Sequence, residues 1–80
     1  MLKTITINSK LIAYTAETIF QVQVGRYNKG RYKTKYSFTG NISRAWFWYN
    51  GINIGNGYKK RLVMVGLEVP RMTTLAKENS

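Results

Sequence analysis

The run Arg31-Tyr32-Lys33-Thr34-Lys35-Tyr36-Ser37-Phe38 alternates with period two, and it constrains the fold more than any other stretch of the chain. A strand sends successive side chains to opposite faces, so the odd positions present Arg, Lys, Lys and Ser and the even positions Tyr, Thr, Tyr and Phe. Upstream, Phe20, Val22 and Val24 alternate with Gln21 and Gln23 in the same way. Between the two runs lies Tyr27-Asn28-Lys29-Gly30, where Asn followed by Gly suits a three-residue hairpin loop with Gly30 in the left-handed region. Such a loop pairs Tyr27 with Arg31. It then sets Val24 opposite Thr34, Val22 opposite Tyr36 and Phe20 opposite Phe38, with Gln23 facing Lys35 and Gln21 facing Ser37. Turn chemistry and face pattern agree on this hairpin.

The next segment, Asn41 to Ile52, fits two patterns. As a strand it is apolar on both faces. As a helix it places Ile42, Ala45, Trp46 and Tyr49 on one stripe at i, i+3, i+4, i+7 and leaves Arg44, Phe47 and Trp48 off it. Thr39, Asn41 or Ser43 suits the start and Gly51 suits the end, so the spacing predicts a helix. Leu2 to Asn8 alternates as a strand, Asn8-Ser9-Lys10 is turn-like, and Leu11 to Thr15 reads as a second short strand. Ala16-Glu17 is a connector. Gly55-Asn56-Gly57 is a turn and Tyr58 to Val65 a last, basic strand, with Leu67 to Pro70 extending it or turning back. Met72 to Ser80 shows weak periodicity and is expected to fray. The expectation is an α+β fold: a small antiparallel sheet of four or five strands, with one helix packed on its even-numbered face. One compact domain spans 1–70, with a frayed tail over 71–80.

Eighty residues allow one small domain. Thirteen Lys and Arg against three Glu give a net charge of +10, which calls for a polyanionic partner: nucleic acid, an anionic membrane or an acidic protein surface, of which the membrane is not expected. The charge is patterned. Thr18 to Leu67 contains no acid but nine cations and ten of the eleven aromatic residues. The absence of cysteine removes disulfides and makes the reducing cytoplasm the expected compartment. Ala45 to Tyr49 is the longest apolar run, far short of the roughly 20 residues of a membrane span, and the amino terminus lacks a signal-peptide core.

Catalysis is not expected. There is no His, Asp or Cys, and Glu17, Glu68 and Glu78 are far apart, which leaves no candidate metal site, cofactor or small-molecule substrate. The glycines at 51, 55 and 57 match no phosphate-loop pattern and read as a helix-to-strand turn.

Binding is the better expectation. Arg31, Lys33 and Lys35, backed by Gln21, Gln23 and Tyr27, form a two-stranded ribbon whose cations recur about every 7 Å. A ribbon of that kind fits the DNA major groove, where Arg and Lys read guanine and Gln reads adenine. Lys59, Lys60 and Arg61 add phosphate contacts. These nine residues are the expected nucleic-acid site, with DNA ahead of RNA. Arg44, Phe47 and Trp48 equally suit a protein-contact or self-association patch, so a homodimer is among the expectations. Over residues 18–52, the order hairpin then helix with a basic outer face resembles the sheet-plus-helix DNA readers of the AP2 and integrase arm-binding type. That resemblance implies cations on the sheet face, here Arg31, Lys33 and Lys35. The rival reading is a small phage or mobile-element accessory protein that inhibits or adapts a host protein. The two readings divide on whether Phe47 and Trp48 are exposed side by side.

Overall fold

The structure, a computed structural model, describes residues 2–66 and 72–79. Among these residues it has six strands in two antiparallel sheets and one helix. The strands are β1 (Lys3–Ile7), β2 (Lys10–Tyr14), β3 (Ile19–Arg26), β4 (Lys33–Thr39), β5 (Tyr58–Val65) and β6 (Met72–Asn79), and α1 (Ile42–Gly51) lies between β4 and β5. The larger sheet runs β4-β3-β5-β6, and β1 and β2 form a hairpin of their own. That hairpin turns on Asn8 and Ser9, whose φ values of 50° and 64° are the positive pair a tight two-residue hairpin turn needs.

The helix spacing holds. Ile42, Ala45 and Tyr49 are buried against Phe20, Val22 and Leu62 of the even-numbered sheet face, with Trp46 partly buried beside them. Asn41 is the N-cap: its side-chain oxygen accepts from the Arg44 backbone N–H at 3.1 Å. Asn41→Ala should therefore lower stability by about 1 kcal/mol, readable as a fall in melting temperature. The other end departs from expectation. Gly51 does not adopt positive φ, and the chain leaves the helix through Ile52 in an extended conformation. The terminal carbonyls are met by a lysine instead: Lys60 Nζ donates to Tyr49 O at 2.8 Å and to Ile52 O at 3.3 Å.

Lengths decide what the helix covers. Ten residues of helix span about 15 Å, whereas the eight-residue strands β3 and β5 run about 26 Å. One uncovered end of the even face receives the β1–β2 hairpin, which brings Ile5, Ile7, Ile12 and Tyr14 to the core and sets Tyr14 edge-on to Phe20 at 5.5 Å. At the other end, Val24 and Tyr58 stay open under the 52–55 loop.

Three expectations are corrected. The tail does not fray over 72–79: β6 pairs along β5 and buries Leu75 and Ala76. Its period was hidden because Leu75 is an extra residue at a bulge, so the apolar pair falls on adjacent positions. The expectation for Leu67 to Pro70 lies outside the described residues. Second, the β3–β4 turn is earlier and the link longer. Lys29 N–H donates to Arg26 O at 3.1 Å, Gly30 does not take positive φ, and Arg31 and Tyr32 precede β4 rather than opening it. A glycine is needed nearby, at Gly25, because a Cβ there would land on the Arg31 carbonyl oxygen. Third, the hairpin register slips by one. Phe20↔Phe38 and Val22↔Tyr36 are as expected, but Gln23 then faces Thr34 and Val24 faces Lys33, leaving Lys35 as a bulge.

Candidate nucleic-acid interface

That bulge redistributes the expected site. Cross-strand partners share a face, and a one-residue slip reverses every side chain beyond it. Before the bulge, therefore, Tyr32 and Thr34 lie on the outer face, and Lys33 joins Val24 on the helix-side face. Lys35 also reaches the helix side, where it lines a groove with Tyr36 and Val24. The outer row of Arg31, Lys33 and Lys35 is not formed.

The outer face carries a closed network instead. Gln23 Nε2 donates to Gln21 Oε1 at 3.0 Å and to Thr34 Oγ1 at 3.2 Å, while its Oε1 accepts from Arg61 Nε at 2.7 Å. Both amide hydrogens and the carbonyl are engaged, and Gln23 is buried, so it has little left with which to read a base. The Arg61 guanidinium lies 3.7 Å from the centre of the Tyr32 ring, and Lys59 Nζ is 4.6 Å from the same ring. Backbone passing over Gly25 delivers Tyr32 to this position. Of the nine expected residues, then, Gln21, Gln23, Lys59 and Arg61 belong to a fixed outer layer. Lys60 is buried beneath α1, donates to Tyr49 O and pairs with Glu78 at 3.3 Å, so its ammonium is engaged within the fold. Tyr27 is exposed and, with Tyr32, Lys59, Lys77 and Glu78, lines a polar cavity of about 280 Å³.

The helix side presents a different surface. Phe47 is 70% exposed and Trp48 38%, with ring centres 6.0 Å apart at right angles. Trp48 packs on Tyr36 at 4.8 Å, and Tyr36 on Phe38 at 6.4 Å. The four rings make a continuous ledge from α1 to the edge strand β4. Arg44 projects from the exposed side of α1, one turn before Phe47 and Trp48. From Tyr36 the ledge opens into a groove of about 380 Å³, lined by Val24, Lys35, Tyr36, residues 52–55 and Tyr58. Arg26 lies over the Tyr58 ring at 5.6 Å.

Tyr36 belongs to the even-numbered face expected under the helix yet is 37% exposed, and Arg26 joins the same open end. The signal for both was the shortness of the helical stripe, which ends too soon to cover the sheet. Burial pushes the Tyr49 hydroxyl well above the ordinary phenol range, with the Glu78 charge and then Tyr32 adding to it. Among the described residues this hydroxyl is buried without a hydrogen-bond partner, and no cluster of His, Cys, Asp or Glu suited to a metal is present. Nor, among them, is any helix long and apolar enough to cross a membrane.

No protein family, curated protein or solved structure matches the chain.

Proposed function

We propose that this protein is a non-catalytic nucleic-acid-binding module that works through the helix-side edge of its sheet rather than the outer sheet face. The observation that carries this reading is the bulge at Lys35, which sets Lys33 and Lys35 on the side of the ledge formed by Tyr36, Trp48 and Phe47. Arg44 and Arg26 flank the same surface. A net charge of +10 draws a polyanion, and exposed rings among cations give bases something to stack on. Duplex DNA loses the advantage that a cationic ribbon would have given it, because the ribbon's glutamines and Arg61 bond one another.

A salt titration tests the reading. If Lys33, Lys35, Arg44 and Arg26 neutralise about four phosphates, log affinity should fall against log salt with a slope of about −2.8 on single strands and −3.6 on duplex. Lys33→Gln/Lys35→Gln should shallow that slope by about 1.4–1.8 with the fold retained, since both side chains are exposed. A slope unchanged by the double substitution would remove these two lysines from the interface.

A second reading has its own observation. Phe47 and Trp48 are exposed side by side, the condition that favours a protein partner with an acidic surface, as in a phage or mobile-element accessory protein. Phe47→Ser leaves the charge unchanged and should weaken binding on either reading, so the oligonucleotide titration separates the two: no salt-dependent binding of the parent to single strand or duplex favours the protein partner.

A further inference from the structure

We infer that the groove between Tyr36 and Tyr58 receives an unpaired base, which makes the ligand single-stranded nucleic acid rather than duplex. The inference rests on the nucleic-acid reading above and adds strandedness and a base site to it. Three observations carry it. The first is shape. The groove, about 380 Å³, lies at the small end of the roughly 300–1,000 Å³ range of ligand pockets, and a duplex cannot enter a recess of that size.

The second is the chemistry of the walls. Val24, Ile52 and Ile54 supply apolar lining, and Tyr36 and Tyr58, each 37% exposed, line the same groove. Exposed phenol rings beside apolar side chains suit the flat face of a base, and stacking on them is tolerant of sequence. Arg26 already lies over one side of Tyr58, so that ring offers its remaining surface.

The third is the placement of charge. Lys35 lines the groove itself, and Lys33 lies opposite Val24 on the same strand face. Phosphates on either side of an inserted base would meet these two ammonium groups. On the far side of Tyr36 the ring ledge continues to Trp48 and Phe47, where following bases have further stacking surface, with Arg44 alongside. The path is thus a run of contiguous rings, Tyr36, Trp48 and Phe47, with cations beside it. Among the described residues the acids are Glu17 and Glu78; neither lines the groove, and Glu78 is paired with Lys60.

The test compares a fluorescein-labelled oligothymidylate of about 15 nucleotides with a duplex of equal length, using the parent protein, Tyr36→Leu and Tyr58→Leu. The parent should bind the single strand more tightly than the duplex. Each variant should weaken single-strand binding about five- to 150-fold, the range for loss of one base–aromatic stack, with duplex binding and the salt slope unchanged. Melting curves show whether each variant is folded. A measurement without any variant keeps the inference testable if one is not: photocrosslinking of 5-iodouracil oligonucleotide to the parent should label the peptides containing Tyr36 or Tyr58. Salt-dependent binding with no preference for the single strand, with no effect of either folded variant, or with crosslinks elsewhere overturns the base site and leaves the nucleic-acid reading standing. No salt-dependent binding of either oligonucleotide overturns both, and the protein-partner reading takes their place.

Discussion

Replacing Gly40 with alanine should lower the melting temperature by about 12–24 °C, corresponding to a loss of about 3 kcal/mol. Two independent costs combine. Gly40 has φ of +67°, where a Cβ costs about 1–2 kcal/mol. That Cβ would also lie 2.8 and 2.9 Å from the Ala16 carbonyl carbon and Cα, and would overlap the Ala16 carbonyl oxygen. All three are backbone atoms, so no side chain can swing aside, and overpacking of this kind adds about 1–3 kcal/mol. Nor is the Ala16 turn free to retreat. Thr15 N–H donates to Thr18 Oγ1 at 3.0 Å, Glu17 N–H to Thr15 Oγ1 at 3.2 Å, and Gly40 N–H to Thr18 O at 2.7 Å. Moving the turn strains its own two bonds and breaks the one that joins the start of β3 to the end of β4. Gly51→Ala is the control: its Cβ meets open space at the last residue of the helix, so it should leave the melting temperature unchanged or slightly raised. If the two variants melt together, the crowding at Gly40 is not real.

Lys60→Met should cost about 2–4 kcal/mol, again a fall of at least 8 °C in melting temperature. Methionine fills similar volume and removes a buried ammonium, which on its own relieves a desolvation penalty. What it cannot replace is the pair of bonds to Tyr49 O and Ile52 O. Those carbonyls sit at a helix end that has no glycine cap and no basic residue in its last turn. Each orphaned group costs about 1–3 kcal/mol, and together they outweigh the relieved penalty. Glu78→Gln separates this role from the ion pair. Glu78 is 57% exposed on its side chain, so losing its charge should cost no more than about 1 kcal/mol. Equal losses for Lys60→Met and Glu78→Gln would show that the ion pair, not the helix end, is what Lys60 supports.

The α+β class, the helix and most strand bounds were legible in the sequence because each rests on a local period with a matching terminus. Ile42, Ala45 and Tyr49 gave the helix face, and Tyr58 to Val65 was delimited by its turn and its apolar close. What escaped was every feature that breaks a period by one residue. Lys35 interrupts β4 and Leu75 interrupts β6, and an alternation count cannot see an inserted position when residues on both sides still alternate. The error was largest at the candidate site, since Lys33 and Tyr32 exchanged faces while Tyr36 and Phe38 kept theirs. Lys60 escaped for another reason. It looked like one of three consecutive surface cations, and only the arrival of a helix end without its own cap gives it a buried partner.

Those two interruptions have a further meaning for how the molecule lives among copies of itself. β4 and β6 are the two margins of the four-stranded sheet, and the extra residue lies in the marginal strand both times. A neighbouring molecule that tried to lengthen the sheet would find its hydrogen-bonding groups out of step at either border, with Lys33 and Lys35 on one side and Lys77 on the other repelling an equally basic newcomer. Both devices work against stacking edge to edge into fibres. For a chain with exposed rings and a small core, that places the burden of any contact on side chains more than on a lent strand.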